Sequence, residues 1–234
     1  MTPSHTCRVA ATVLAAVAVA AASSATRAAA QTSSSQPATT SAAAKQSELE
    51  AIAKARADSV RHPYTQADID FMTGMISHHS QAILMAGWAP THGASSSVQT
   101  LCARIINAQR DEIRTMQQWL RDRQQPVPDG SPHGMKMMMN GSEHTMLMPG
   151  MLTDAQLKQL DDARGPEFDR LFLTFMIQHH RGAVSMVKDL FGTYGAGQDE
   201  LVFKLASDIN VDQTTEIARM QRMLFTLAVE RGSQ

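Results

Sequence analysis

Met75-Ile-Ser-His78-His79-Ser-Gln-Ala-Ile-Leu-Met85 returns about a hundred residues later as Met176-Ile-Gln-His179-His180-Arg-Gly-Ala-Val-Ser-Met186, and both stretches read M-x2-H-H-x5-M. A thioether and two adjacent imidazoles repeated in one register mark a duplicated element. Around the first copy, Phe71, Met75, His78, Ala82, Met85 and Ala89 step by 4, 3, 4, 3 and 4 residues, the rhythm of a buried helix seam. A second stripe of Met72, Ile76, His79, Ile83 and Ala86 runs beside it. Both histidines therefore point into the apolar half of a helix. The second copy repeats the seam with Phe172, Met176, His179, Ala183, Met186 and Leu190, and the flanking stripe with Leu173, Ile177, His180, Val184 and Val187.

Working outward, Thr65 with Asp68 three residues on resembles a capping box, so the first long helix starts there and ends near Ala89-Pro90. A second helix is expected from about Val98 to Arg121, closed by Gln125-Pro126-Val127-Pro128. Thr153 and Gln156 cap a short helix between Leu152 and Ala163. Pro166 opens the third long helix, and a fourth runs from about Glu200 to Val229. The second and fourth helices share a motif of their own, Q-x2-E-I-x2-M, as Gln109-Arg-Asp-Glu112-Ile-Arg-Thr-Met116 and Gln213-Thr-Thr-Glu216-Ile-Ala-Arg-Met220. A helix hairpin used twice predicts an all-α four-helix bundle with a pseudo-twofold axis, spanning residues 63–230. The connection between the halves, residues 126–152, reads as a loop, because no stretch of it alternates as a strand does.

The N-terminal region has a different character. His5 and Arg8 lead into an apolar run from Val9 to Ala22, followed by Ala28-Ala29-Ala30, the pattern of a secretory signal over residues 1–30. The run is shorter than the roughly 20 residues a transmembrane helix needs, so no membrane association is expected beyond export. Residues 31–47 are mostly Ser, Thr, Ala and Gln and read as a disordered tether, with a short helix at 48–62 halted by His62-Pro63. Cys7 leaves with the signal, and Cys102 alone forms no internal disulfide. The expected address is the periplasm or the cell exterior. A net charge of −1, without basic residues interleaved with aromatics, excludes the field that nucleic-acid binding needs. Nothing in the sequence sets an oligomeric state.

Four buried imidazoles need partners, since each unmade hydrogen bond costs about 1–3 kcal/mol. A metal ion is one partner: imidazole suits several transition metals, while thioether sulfur selects Cu(I). Candidate ligands are Met75, His78, His79 and Met85 in one half and Met176, His179, His180 and Met186 in the other. Gln109, Glu112, Gln213 and Glu216 are placed to receive the second ring N–H of each histidine and orient it. Met116, Met220 and Met223 read as core filler, and Cys102 as core. In the crossover, His133, Met135, Met137, Met138, Met139, His144, Met146, Met148 and Met151 have little else to bury and suit a flexible Cu(I) or Ag(I) capture segment.

The doubled M-x2-H-H-x5-M helices, the Q-x2-E-I-x2-M helices, Met148-Pro-Gly-Met-Leu-Thr and Gly165-Pro-Glu-Phe-Asp-Arg-Leu-Phe-Leu together resemble the DUF305 family over residues 63–225. The resemblance implies a ferritin-like four-helix bundle, often exported, with some members implicated in periplasmic copper binding and resistance. It carries over directly to Met75, His78, His79, Met176, His179 and His180. Partners are then metal ions, with a copper chaperone or efflux component beyond them. Another transition metal could take the place of copper, and two other readings stand beside copper sequestration or transfer. One is a ferritin-like oxidase or peroxide-handling enzyme, although di-iron bundles use Glu-x-x-His pairs and here the histidine helices carry no Glu at that spacing. The other is a metal-free module, in which Glu and Gln satisfy the histidines and the Met-rich crossover binds a partner. Neither a nucleophile–base arrangement nor a Gly-rich phosphate loop appears.

Overall fold

A computed structural model describes residues 38–61, 63–139 and 142–232. The expected signal sequence, residues 1–30, and the first part of the expected tether lie outside the described residues. Helix α1 spans Ala38–Arg61. It takes in residues expected to be tether, because Ala is the strongest helix former and dominates from Ala42 onward. Its described side chains are exposed except for a half-buried Ile52.

The four long helices are α2 (Gln66–Gly87), α3 (Ser96–Asp122), α5 (Pro166–Gly192) and α6 (Glu200–Gly232), with the short α4 (Asp154–Asp162) between the halves. Thr65 and Thr153 cap α2 and α4 with complete capping boxes through Asp68 and Gln156. Pro166 at the first turn of α5 uses the one position where its missing N–H costs nothing. Helices α2 and α3 pack as one hairpin and α5 and α6 as the other, and the hairpins join through α2 against α5. The result is a four-helix bundle.

Two buried aspartates at corresponding positions clasp the halves together. Asp68 at the start of α2 accepts from the N–H of Gly197, in the loop joining α5 to α6, at 2.7 Å. Asp169 at the start of α5 accepts from the N–H of Ser95, in the loop joining α2 to α3, through both oxygens at 3.2 Å. Each half thus holds the other's turn with a charged acceptor, the stronger class of hydrogen bond.

The crossover corrects the expectation of a strandless loop. Met135–Met139 (β1) and Ser142–Met146 (β2) pair antiparallel, with Met135 opposite Met146 and Met137 opposite His144. The sequence signal is Asn140-Gly141 between the strands, the dipeptide most favoured in two-residue hairpin turns, which outweighs the missing alternation. Gln81 of α2 fastens both ends of the crossover: its amide donates to the carbonyls of Pro132 and Leu152, and its oxygen accepts from the Leu152 N–H at 2.6 Å. The corresponding position in α5 is Gly182. A Cβ there would meet the Pro149 carbonyl oxygen at 1.8 Å, so the crossover backbone lies directly on the helix.

Candidate metal centre

The bundle core falls into two apolar clusters. One contains Met85 and Met176, the other Met75 and Met186, so each draws candidate thioethers from both halves. His78, His79, His179 and His180 are all fully buried. The rings of His78 and His179 lie 3.8 Å apart at 36° where α2 meets α5. His79 sits 6.2 Å and 54° from His78, and His180 stands in the same relation to His179. That identity of geometry is the pseudo-twofold expected from the repeat.

Partners from the other helices keep the symmetry at first. His79 Nε2–H donates to Glu112 of α3 at 2.7 Å, and His180 Nε2–H donates to Glu216 of α6 at 2.8 Å. A carboxylate accepts, which leaves the Nδ1 lone pair of each neutral ring without a proton. Gln109 and Gln213 are buried at the same level, yet neither bonds a histidine among the described residues. The symmetry then breaks at the stacked pair. His78 Nε2–H donates to the carbonyl of Pro149 in the crossover at 3.0 Å, a partner that no helical spacing forecasts. His179 finds no partner among the described residues for either ring nitrogen.

The nitrogens left over are His78 Nδ1, His79 Nδ1, His180 Nδ1 and both of His179, all buried and unpartnered. Burial first, and then unfavourable electrostatics with the neighbouring His79 ring, pushes His78 down to about 3. Burial and then His78 hold His179 well below the ordinary imidazole value. At neutral pH both rings are uncharged, the form that ligates a metal. Among the described residues no group of three or more His, Cys, Asp or Glu is already arranged to hold an ion.

The remaining candidates divide by location. Met148 leaves the hairpin to lie over Gly74 of α2, where a Cβ would fall 2.9 Å from its sulfur and 3.4 Å from the Met186 methyl. Crossover and helix thioethers converge there. Met151 is buried, and its sulfur accepts from the Met148 N–H at 3.3 Å. Exposed His133, His144 and Met146 are not brought to the buried histidine layer, Met135 is half-buried, and His133 bonds Asp154 at 2.8 Å. The side chains of Met137, Met138 and Met139 lie outside the described set. Cys102 is buried in the core, where burial and the charge of Asp169 push its thiol up to about 12.

No helix among the described residues is long and apolar enough to cross a membrane. No curated protein matches the chain. Solved structures do. The chain is 29% identical to a DUF305 protein of Streptomyces coelicolor, covering 69% of this chain and 92% of that one, with a TM-score of 0.57. A DUF305 fragment of Deinococcus radiodurans is 27% identical, covering 70% and 99%, with a TM-score of 0.58. CopM in its Cu(II)-bound form is 29% identical, covering 68% and 96%, with a TM-score of 0.53. The family model described as a domain of unknown function, DUF305, matches residues 68–224, which hold all four bundle helices but the ends of α2 and α6, and the chain belongs to that family.

Proposed function

We propose that this chain is an exported copper-binding protein that takes Cu(I) into the histidine layer for sequestration, transfer or resistance. The observation that carries the reading is the set of buried, unpartnered imidazole nitrogens at one level of the bundle, with thioethers in the clusters on either side. A purely structural polar layer would pair its nitrogens, because each buried orphan costs about 1–3 kcal/mol. The donor chemistry fits a soft ion: neutral imidazole and thioether together select Cu(I) over Zn(II) or Mg(II). Structures of CopM with Cu(I) and with Ag support a copper-related role in the family.

In this reading His78, His79, His179 and His180 supply imidazole, and Met75, Met176, Met85 and Met186 supply sulfur. Glu112 and Glu216 fix the tautomers of His79 and His180. The Met- and His-rich crossover, with His133, Met135, Met137, Met138, Met139, His144 and Met146, is a capture segment for ions, and Met148 and Met151 link it to the bundle. Delivery to a copper chaperone or efflux component follows from a periplasmic or extracellular address.

Titration of the mature protein with Cu(I) against a competing chelator tests this. Binding tighter than about 1 μM, more favourable than about −8 kcal/mol, is expected. Replacing the four histidines with alanine should abolish it. Met75→Leu with Met176→Leu, a change of similar volume that a core tolerates, should weaken it without unfolding the bundle. Affinity unchanged in both variants would overturn the reading.

A further inference from the structure

The histidine layer is closed where α2 meets α5, because the crossover backbone lies on Gly182 and the Pro149 carbonyl caps His78. On the opposite side, α3 and α6 approach far less closely than the helices within each hairpin. A groove of about 150 Å³ runs between them, walled by Arg104, Gln109, Glu112, Asp212, Gln213 and Glu216. Glu112 and Glu216 are partly exposed in this groove, and their other face holds His79 and His180. One carboxylate on each side therefore separates the groove from the imidazoles.

Two further features distinguish this groove from an ordinary acidic seam. Gln109 and Gln213 line it while only 3% exposed, yet Gln109 Oε1 and both amide atoms of Gln213 have no hydrogen-bond partner among the described residues. Buried amide groups are normally paired, and these are aimed at the space between the helices. Asp212 also breaks the internal repeat: it precedes Gln213 where Ala108 precedes Gln109. Burial holds the Asp212 carboxyl above the usual carboxylate range, helped by the charges of Glu112, Glu216 and Asp208 and opposed by Arg104. The acids thus share one field at the mouth.

We propose that the groove between α3 and α6 is the port through which a transition-metal cation enters the histidine layer, with Asp212 drawing it to the mouth and Gln109 and Gln213 replacing part of its water. The proposal rests on the histidine layer being the metal site. A low-dielectric cleft in which one sign of charge predominates, here three carboxylates against Arg104, raises the local concentration of the opposite ion and speeds its capture. A charge at the port acts on the approach of the cation, so it is read in the association rate and in the dependence of that rate on ionic strength.

Stopped-flow mixing of the protein with Ag+ in chloride-free buffer, followed by intrinsic tryptophan fluorescence, separates the possibilities. Asp212→Asn should slow association about tenfold, at the low end of the range for steering by a charged cleft. It should also flatten the dependence of that rate on ionic strength. Ala108→Asp, which restores the missing half of the pair, should speed association. Unchanged rates in both variants, with tight Ag+ binding retained, would overturn the port alone. Loss of affinity in Asp212→Asn at unchanged association rate would also overturn it, by making Asp212 a ligand. Failure of the parent protein to bind Ag+ at all would instead remove the proposed metal site.

Discussion

At the scale of single residues, burial has its clearest effect on His78 and His179, whose pKa values lie below that of a solvated imidazole. In the unfolded chain both take up a proton near pH 6.5, but in the metal-free fold His78 does so only at about 3. Between those values the unfolded state binds more protons than the native one, so stability falls as pH falls. The midpoint of urea unfolding of the metal-free protein should therefore drop steadily from pH 7 towards pH 4. His179→Gln removes one of the two linked groups and should make that slope shallower. A midpoint that stays level over this range would contradict the buried, neutral state of the pair. The four histidines and the Glu112 and Glu216 contacts were legible in the sequence, because one repeat predicts the other. The Pro149 carbonyl was not, since it comes from a loop 71 residues away from His78.

At the scale of elements, the helices follow from local signals and the crossover from contacts that are not local. The capping residues of α2 and α4 and the Pro166 start of α5 stand where spacing and cap chemistry put them. The crossover misled because its composition masks a hairpin whose turn dipeptide is its only strong local sign. Its docking turns on a difference between the two copies of the motif, Gln81 in α2 and Gly182 in α5, and periodicity treats both as solvent-side positions. Gly182→Ala tests how closely the crossover is pressed on α5. Alanine favours a helix interior over glycine by about 1 kcal/mol, whereas forcing an extra methyl into a packed contact costs roughly 1–3 kcal/mol. With backbone as the clashing group, the second effect should win, and stability in chemical denaturation should fall by about 1–2 kcal/mol. Gly192→Ala, in the same helix with nothing within 4 Å of the added carbon, is the control and should be neutral or slightly stabilising. Equal stability of the two variants would mean that the crossover is not held against Gly182.

At the scale of the whole molecule, duplication has produced halves that are neither separate nor equivalent. The Asp68 and Asp169 clasps run in opposite directions between the hairpins, and each apolar cluster draws a thioether from both. The histidines obey the same logic: His78 and His179 stack at 3.8 Å, closer to each other than either is to its own sequence neighbour at 6.2 Å. If the proposed metal site exists, it is therefore one layer shared between the halves. A ligand at a hundredfold excess over its dissociation constant stabilises the fold by about 2.7 kcal/mol, which for a domain of this size raises Tm by roughly 5–10 °C. Adding Ag+ to the unmodified protein should give a rise of that order in a thermal melt. Substituting glutamine for His78 and His79 together should abolish the rise, and substituting glutamine for His179 and His180 should abolish it as completely. Two independent sites would behave otherwise, each double variant keeping part of the rise through the intact half. Retention of a partial rise in both variants would separate the halves and remove the shared layer, whereas complete loss in either ties metal binding to the contact between α2 and α5.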